Sequence, residues 1–245
     1  MTKALTVEDL NIVYEDNHII VVVKPQNIPA CPDETGDPDM ISIIKDYLIK
    51  TYDKKGDAYV GLVHRLDRPT GGVMVYAKTS KAAARLSESI RNGEFDKRYF
   101  AILMGTPREK QVNYLTHYLK KDVERNMVYV APMSEEGAKK AVLSYKILEE
   151  NATMSLVDIK LFTGRSHQIR VQMSTLGTPL FGDQKYGGDK TPAGYNLALW
   201  AVELKFLHPV SKEKMMFRVY PPCEDVPWKF FDPKRFLAIS IRNEY

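Results

Sequence analysis

The sequence predicts an α+β fold built on a large mixed, mainly antiparallel sheet flanked by helices and loops. Strand-like apolar runs come in adjacent pairs joined by short turns, once near residue 16 and again near residue 208. Segments with helical spacing are few and do not alternate regularly with strands, which disfavours a parallel βαβ sheet. The chain has 245 residues and 44% hydrophobic content, enough for one sizeable core. No repeat, low-complexity tract or linker divides it. A single domain over 1–245 is therefore expected, with its core from about residue 10 to 222 and a tail over 223–245.

Taken in order, Asn11 to Tyr14 and His18 to Val23 read as two strands joined through Glu15-Asp16-Asn17. Pro25, Pro29, Pro32 and Gly36 then break the chain into an irregular loop. Met40 to Ile49 resumes at helical spacing behind Asp39, a candidate N-cap. Gly72 to Lys78 reads as a strand. Ser80 to Arg91 reads as a helix with Ala83, Leu86 and Ile90 on one face and Asn92-Gly93 after it. Lys97 to Met104 is strand-like, and Val157, Ile159 and Leu161 alternate on another strand, so the middle of the chain is mostly β. Ser166 to Leu176 reads as a helix stopped by Gly177. Leu197 to Phe206 and Met215 to Tyr220 form a late hairpin turned at His208-Pro209.

The two cysteines, Cys31 and Cys223, lack any metal-type or disulfide-framework spacing, which fits a reducing compartment. The longest apolar run, Ile19 to Val23, is too short to span a bilayer, and a cytosolic protein is expected. Net charge is only +4, but it is unevenly placed. Residues 1–60 hold 6 Lys/Arg against 11 Asp/Glu, whereas residues 61–125 hold 13 against 7. That basic excess suits a region that meets phosphates, although a solvated basic face would look the same.

It surrounds His64-Arg65-Leu66-Asp67-Arg68-Pro69-Thr70-Gly71-Gly72, a carboxylate between two arginines followed at once by turn residues. Alone, this reads as readily as a surface ion pair. A second cluster, Thr163-Gly164-Arg165-Ser166-His167-Gln168-Ile169-Arg170, follows a strand and opens a helix, so its amides and two arginines are placed to face an anion together. A third, Lys97-Arg98-Tyr99, sets a tyrosine beside two cations at the start of an apolar strand. A lone strand tyrosine is usually a core residue.

In this order, HRLD with its Thr-Gly turn at 64–72, K-x-Y-x-A at 97–101 and TGRxHQIR at 163–170 resemble the RluA-like branch of the pseudouridine synthases. YEDNHIIVVVKP at 14–25, Pro179 to Asp183 with Tyr186-Gly187-Gly188, and Leu204 to Pro209 extend the resemblance from about Leu10 to Pro222. The resemblance implies a catalytic domain on a bifurcated antiparallel sheet, RNA as partner, and neither metal nor cofactor. Consistently, no phosphate-binding glycine loop is present and the five histidines lack metal-ligand spacing. Many relatives carry a small RNA-binding domain ahead of the catalytic one. Here the opening hairpin begins near residue 11, so the expectation is that the catalytic domain, or the tail from Glu224 to Tyr245, grips the RNA. A monomer is the default.

The implied reaction breaks the bond between uracil and ribose within RNA and rejoins the ribose at carbon 5 of the same base. By this resemblance Asp67 is the catalytic carboxylate, attacking the anomeric carbon or assisting elimination. Arg165 keeps it ionised and oriented, and Tyr99 stacks on the base or removes a proton. The nucleotide must be turned out of its helix, and Arg65 is the candidate to fill or brace the gap. Arg68, Thr70, His167, Gln168 and Arg170 are the remaining candidate RNA contacts, and His64 is a structural hydrogen-bonder. Two departures stand out. Gly71 replaces the family's usual serine, and Trp200 in Leu197-Ala198-Leu199-Trp200-Ala201 replaces a frequent histidine, which bears on target choice more than on chemistry. Competing readings are a non-catalytic RNA-binding or ribosome-assembly protein on the same fold, disfavoured by intact Asp67, Tyr99 and Arg165, and a nucleoside or base hydrolase using Asp67, which would hardly need so extended a basic surface.

Overall fold

The computed structural model describes residues 6–109 and 112–242, so the last three residues of the expected RNA-gripping tail lie outside the described residues. The chain forms two compact units, one of Met1–Asp96 with Glu203–Val219, the other of Lys97–Val202 with Tyr220–Tyr245. Its elements run β1 (Asn11–Glu15), β2 (Ile19–Lys24), α1 (Met40–Tyr52), β3 (Gly61–Leu62), β4 (Gly71–Ala77) and α2 (Ser80–Arg91), then β5 (Asp96–Met104), β6 (Asn113–Asp122) and β7 (Met127–Ala131). They continue with β8 (Lys139–Glu150), β9 (Met154–Leu161), α3 (Gln168–Thr175), β10 (Leu199–Leu207), β11 (Lys214–Arg218) and α4 (Pro233–Arg242). This is the α+β class expected, and the pairings within each unit are antiparallel.

In the first unit, β1 and β2 turn through Asp16, whose Oδ1 accepts the amides of His18 at 2.7 Å and Ile19 at 2.8 Å. β2 pairs with β4 from Ile19 opposite Ala77 to Lys24 opposite Gly72, so the loop that carries Asp67 ends directly against the end of β2. α1 starts where the sequence predicts, because Asp39 Oδ1 accepts from Ile41 N at 2.8 Å and Ser42 N at 3.3 Å. Ile19, Val21, Val73, Val75 and Ala77 share one strand face and pack against Ala82 and Leu86 of α2 and against Phe95, Leu204 and Phe206. Phe95 and Phe206 stack with ring centroids 5.0 Å apart. The late hairpin pairs Glu203 with Arg218 through Leu207 with Lys214, and His208 Nε2 lies 2.9 Å from Asp16 Oδ2.

In the second unit the strand order is β5-β9-β8-β6-β7. Leu119, Val128 and Ala141 on its inner face pack against Val171 of α3. Residues 168–173 of α3 are all buried, unlike a surface helix with one wet face. The predicted helix over 166–176 begins at Gln168 instead, because His167 adopts a left-handed conformation (φ 51°) and the preceding residues form a turn. At Gly182 (φ 75°) the chain passes close to itself: a Cβ there would lie 2.2 Å from Asn196 O. In the tail, Trp228 is buried and Asp232 N donates to Glu149 Oε2 at 3.2 Å, which fastens the start of α4 to β8.

Candidate active site

The Asp67 segment belongs to the first unit and is pinned by alternation. His64 is buried and its Nε2 accepts from Val75 N at 3.1 Å, while Leu66 is buried in turn. Between and beyond them Arg65 is exposed and Asp67 half-buried. Thr70 N donates to Asp67 O at 2.9 Å, closing a turn around Arg68 and Pro69, and the rest of Thr70 is buried. Gly72, the second residue of β4, has φ 125°, a conformation that favours glycine, so that member of the Gly-Gly pair follows from the backbone just after the turn.

Beneath this loop lies Lys24, a fully buried lysine whose Nζ donates to Pro25 O (2.8 Å), Ile28 O (2.6 Å) and Arg68 O (3.0 Å). It therefore ties the 25–28 loop to the residue next to Asp67. Burial drives its pKa down from 10.5 to about 7; the Asp67 charge opposes that shift and the Arg68 charge adds to it. Gln26 Nε2 adds a bond to Pro69 O at 3.1 Å. Arg68, expected to reach RNA, is held by the loop beside it: Nε donates to Asn27 O at 3.2 Å, Nη1 to Thr35 Oγ1 at 3.2 Å, and Nη2 to Asp37. Hydrogen bonding to Arg68 in turn holds the Asp37 carboxyl below its usual range.

The second unit holds Tyr99 and the TGR segment. Tyr99 is buried on β5 opposite Ile159, on the same face as Lys97, whose pKa burial lowers to about 8. The turn before α3 is organised by Gln168. Its Oε1 accepts from Thr163 Oγ1 at 2.8 Å and from Arg165 N at 3.0 Å, and its Nε2 donates to Val142 O at 3.1 Å. Arg165 is exposed and steered by one bond from its Nε to Lys140 O at 3.0 Å.

His167 Nδ1 lies 2.6 Å from Tyr186 Oη, which also accepts from Val128 N at 2.9 Å. Arg170 is turned inward. Its Nε and Nη2 reach Asp183 Oδ2 and Oδ1 at 2.8 and 2.6 Å, and the Tyr186 ring lies beneath the guanidinium.

The two arginines of the TGR segment thus do not face one anion together, as their spacing suggested. Arg165 lies outside the helix on the turn, whereas Arg170 falls in the first turn of a helix buried over residues 168–173. Gln168 and Arg170 are placed to shape the turn, and Arg65 and Arg165 are the exposed cations. Sequence reading assigned no role to Lys24, Asp183 or Tyr186. A signal for Lys24 was available: the lysine directly continues a run of five aliphatic residues, Ile19 to Val23, that reads as a buried strand. Trp200 is buried on β10. Among the described residues, no cluster of three or more His, Cys, Asp or Glu could hold a metal ion, and no helix is long and apolar enough to cross a membrane.

Comparison with known proteins supplies what geometry within each unit does not. A family model described as RNA pseudouridylate synthase matches residues 18–175. The chain is 33% identical over 246 residues to the ribosomal large subunit pseudouridine synthase D of Zymomonas mobilis, covering 96% of this chain and 74% of that one. It is 35% identical over 217 residues to the uncharacterized RNA pseudouridine synthase YjbO of Bacillus subtilis, covering 87% and 73%. Among solved structures it is similar to human RNA pseudouridylate synthase domain containing 1, with a TM-score of 0.74 at 21% identity over 99% of this chain and 98% of that one, a likeness of fold.

Proposed function

Because the chain belongs to the RNA pseudouridylate synthase family, we propose that it isomerises uridine to pseudouridine in large-subunit ribosomal RNA, with Asp67 as the catalytic carboxylate. The observation that carries the assignment is the Asp67 turn. A half-buried carboxylate stands between an exposed arginine and a tightly held one, on a loop whose backbone is anchored from below by Lys24. Such anchoring fixes a nucleophile within the narrow geometric tolerance that catalysis needs. From ionised Asp67 two routes lead to a detached uracil: attack at the anomeric carbon, giving a glycosyl ester, or proton removal from the ribose, giving a glycal. The uracil then turns and its carbon 5 joins the anomeric carbon, displacing Asp67 from the ester on the first route or adding to the glycal as Asp67 returns the ribose proton on the second, and the proton on carbon 5 then leaves.

Tyr99 is assigned to stack on the base and take that proton, and Arg165 to keep the catalytic carboxylate ionised, both by family resemblance. Arg65 is assigned to the space vacated by the flipped nucleotide, which its exposure supports. Arg68, Thr70, His167, Gln168 and Arg170 contribute by holding the two loops in shape, a reading supported by their internal bonds. The same reading has the protein acting in the cytosol as a monomer without cofactor.

The test is incubation of the purified protein with RNA from a strain lacking it, followed by mapping of carbodiimide-induced reverse-transcription stops. New stops at discrete uridines, absent with Asp67→Asn at unchanged melting temperature, are expected. Retained turnover by Asp67→Asn would remove Asp67 from the mechanism.

A further inference from the structure

The outer face of the second unit's sheet carries an aromatic pair that neither its core nor the catalytic residues use. Tyr114 on β6 is 63% exposed and Phe162, just past β9, is 48% exposed. Their rings stack with centroids 5.7 Å apart and planes 29° from parallel. Two large aromatics that leave half their surface in water gain little by burial, and a stacked pair so exposed keeps a π face for a further planar group. Cations surround it. Lys160 Nζ lies 5.7 Å from the Phe162 ring centroid.

Strand register sets the row. Tyr114 is opposite Ser144, and Ser144 is opposite Lys160, so the three side chains leave the sheet on one face. Along β8, exposed Lys146 two residues after Ser144 and exposed Lys140 four residues before it leave on that same face. Asp158, the acidic residue nearest in that row, is taken up by a bidentate contact with Arg98 at 2.6 and 2.7 Å. Exposed aromatic faces amid lysines, with the local carboxylate neutralised, match what unpaired nucleic acid needs: faces for bases and cations for phosphates. The patch is continuous with catalytic machinery, since Phe162 precedes Thr163-Gly164-Arg165 directly and Arg165 Nε bonds to Lys140 O.

We propose that Tyr114 and Phe162 form a stacking platform for an unpaired base of the RNA substrate, with Lys140 and Lys160 on its phosphates. The proposal rests on the RNA-modifying reading and extends the substrate's footprint beyond the reacting uridine.

The experiment is fluorescence anisotropy with two labelled 12-mers of equal charge, oligouridylate and an abasic ribose-phosphate strand. Both are titrated with the full-length wild type, with Tyr114→Ala/Phe162→Ala and with Tyr114→Phe/Phe162→Tyr. The alanine pair should weaken oligouridylate binding about tenfold or more and leave abasic binding unchanged, and the aromatic exchange should restore the preference for bases. Equal losses on both strands, or no loss, would overturn the platform. If the alanine pair lowers the melting temperature, Tyr114→Gln alone is held to the same criterion. A wild type that binds neither strand nor ribosomal RNA would fail the RNA reading itself, whereas an unaltered variant beside a binding wild type removes the platform alone.

Discussion

Arg170→Met separates a structural arginine from an RNA-contacting one. In the structure Arg170 and Asp183 have side chains 7% and 0% exposed and meet through two bonds of 2.6 and 2.8 Å. Removing one member leaves Asp183 charged and buried with only the amides of Lys185 and Tyr186 to solvate it, each 3.1 Å from Oδ1. Breaking such a pair costs about 3–5 kcal/mol. For a chain of this size that corresponds to a fall in melting temperature of roughly 6–20 °C.

Both tryptophans, Trp200 and Trp228, belong to the second unit, as Arg170 does, so urea unfolding followed by their fluorescence reports on the relevant part. Asp183→Asn added to Arg170→Met should recover part of the loss, because the amide oxygen keeps both backbone bonds and the buried charge is gone. Arg170→Lys should recover less, since an ammonium cannot bond both carboxylate oxygens in the plane that the guanidinium does. The reasoning is refuted if Arg170→Met keeps the wild-type urea midpoint while RNA affinity falls and its salt dependence weakens by about one unit of slope. That outcome would return Arg170 to the phosphate contacts.

Two further outcomes follow from the same bonds. Lys24 holds its proton to about pH 10.5 in the unfolded chain but only to about pH 7 in the folded one, so between those values the unfolded state binds more protons and stability rises with pH. The full cost of burying the charge is present below pH 7. Lys24→Met should flatten that rise, a difference on the order of 4 kcal/mol between pH 7 and 10 by paired denaturation curves, and identical slopes would contradict it. Tyr186→Phe strips the hydroxyl that Val128 N and His167 share, and should cost about 1–3 kcal/mol in the tryptophan-monitored transition. An unchanged midpoint would mean that neither bond matters.

Local signals carried far in this chain. Helix α2 spans the twelve residues that its apolar spacing and the following Asn92-Gly93 predict, with Thr79 Oγ1 accepting from Ala82 N at 3.1 Å, and α1 starts behind Asp39, because caps and periodicity are short-range properties. The Asp67 and TGR segments were legible as motifs because turn residues and charges lie consecutively in them. The long hairpin of β6 and β7 and its partner β8 were read only as generally β. Their alternation mixes Tyr, Thr and Lys on a face that turns outward and sets His117 between Leu115 and Leu119 on the inner one, so hydrophobic contrast is weak. No linker marked the two compact units, since each is assembled from stretches that are far apart in sequence.

By itself, then, the sequence determined most elements other than β6 to β8 and α4, the Asp39 cap, the order of the motifs and the family they belong to. Which charged side chains face water was decided only by tertiary structure. Lys24, Arg68 and Arg170 are all plain cations in the sequence, yet one is sealed under a loop, one is held by a neighbouring loop and one is locked in an ion pair. The physical reason is range. A cap or a turn is satisfied within four residues, whereas the most distant partners that claim these cations lie 44 residues away for Lys24, 31 to 41 for Arg68 and 13 for Arg170, and only folding brings them within 3.2 Å.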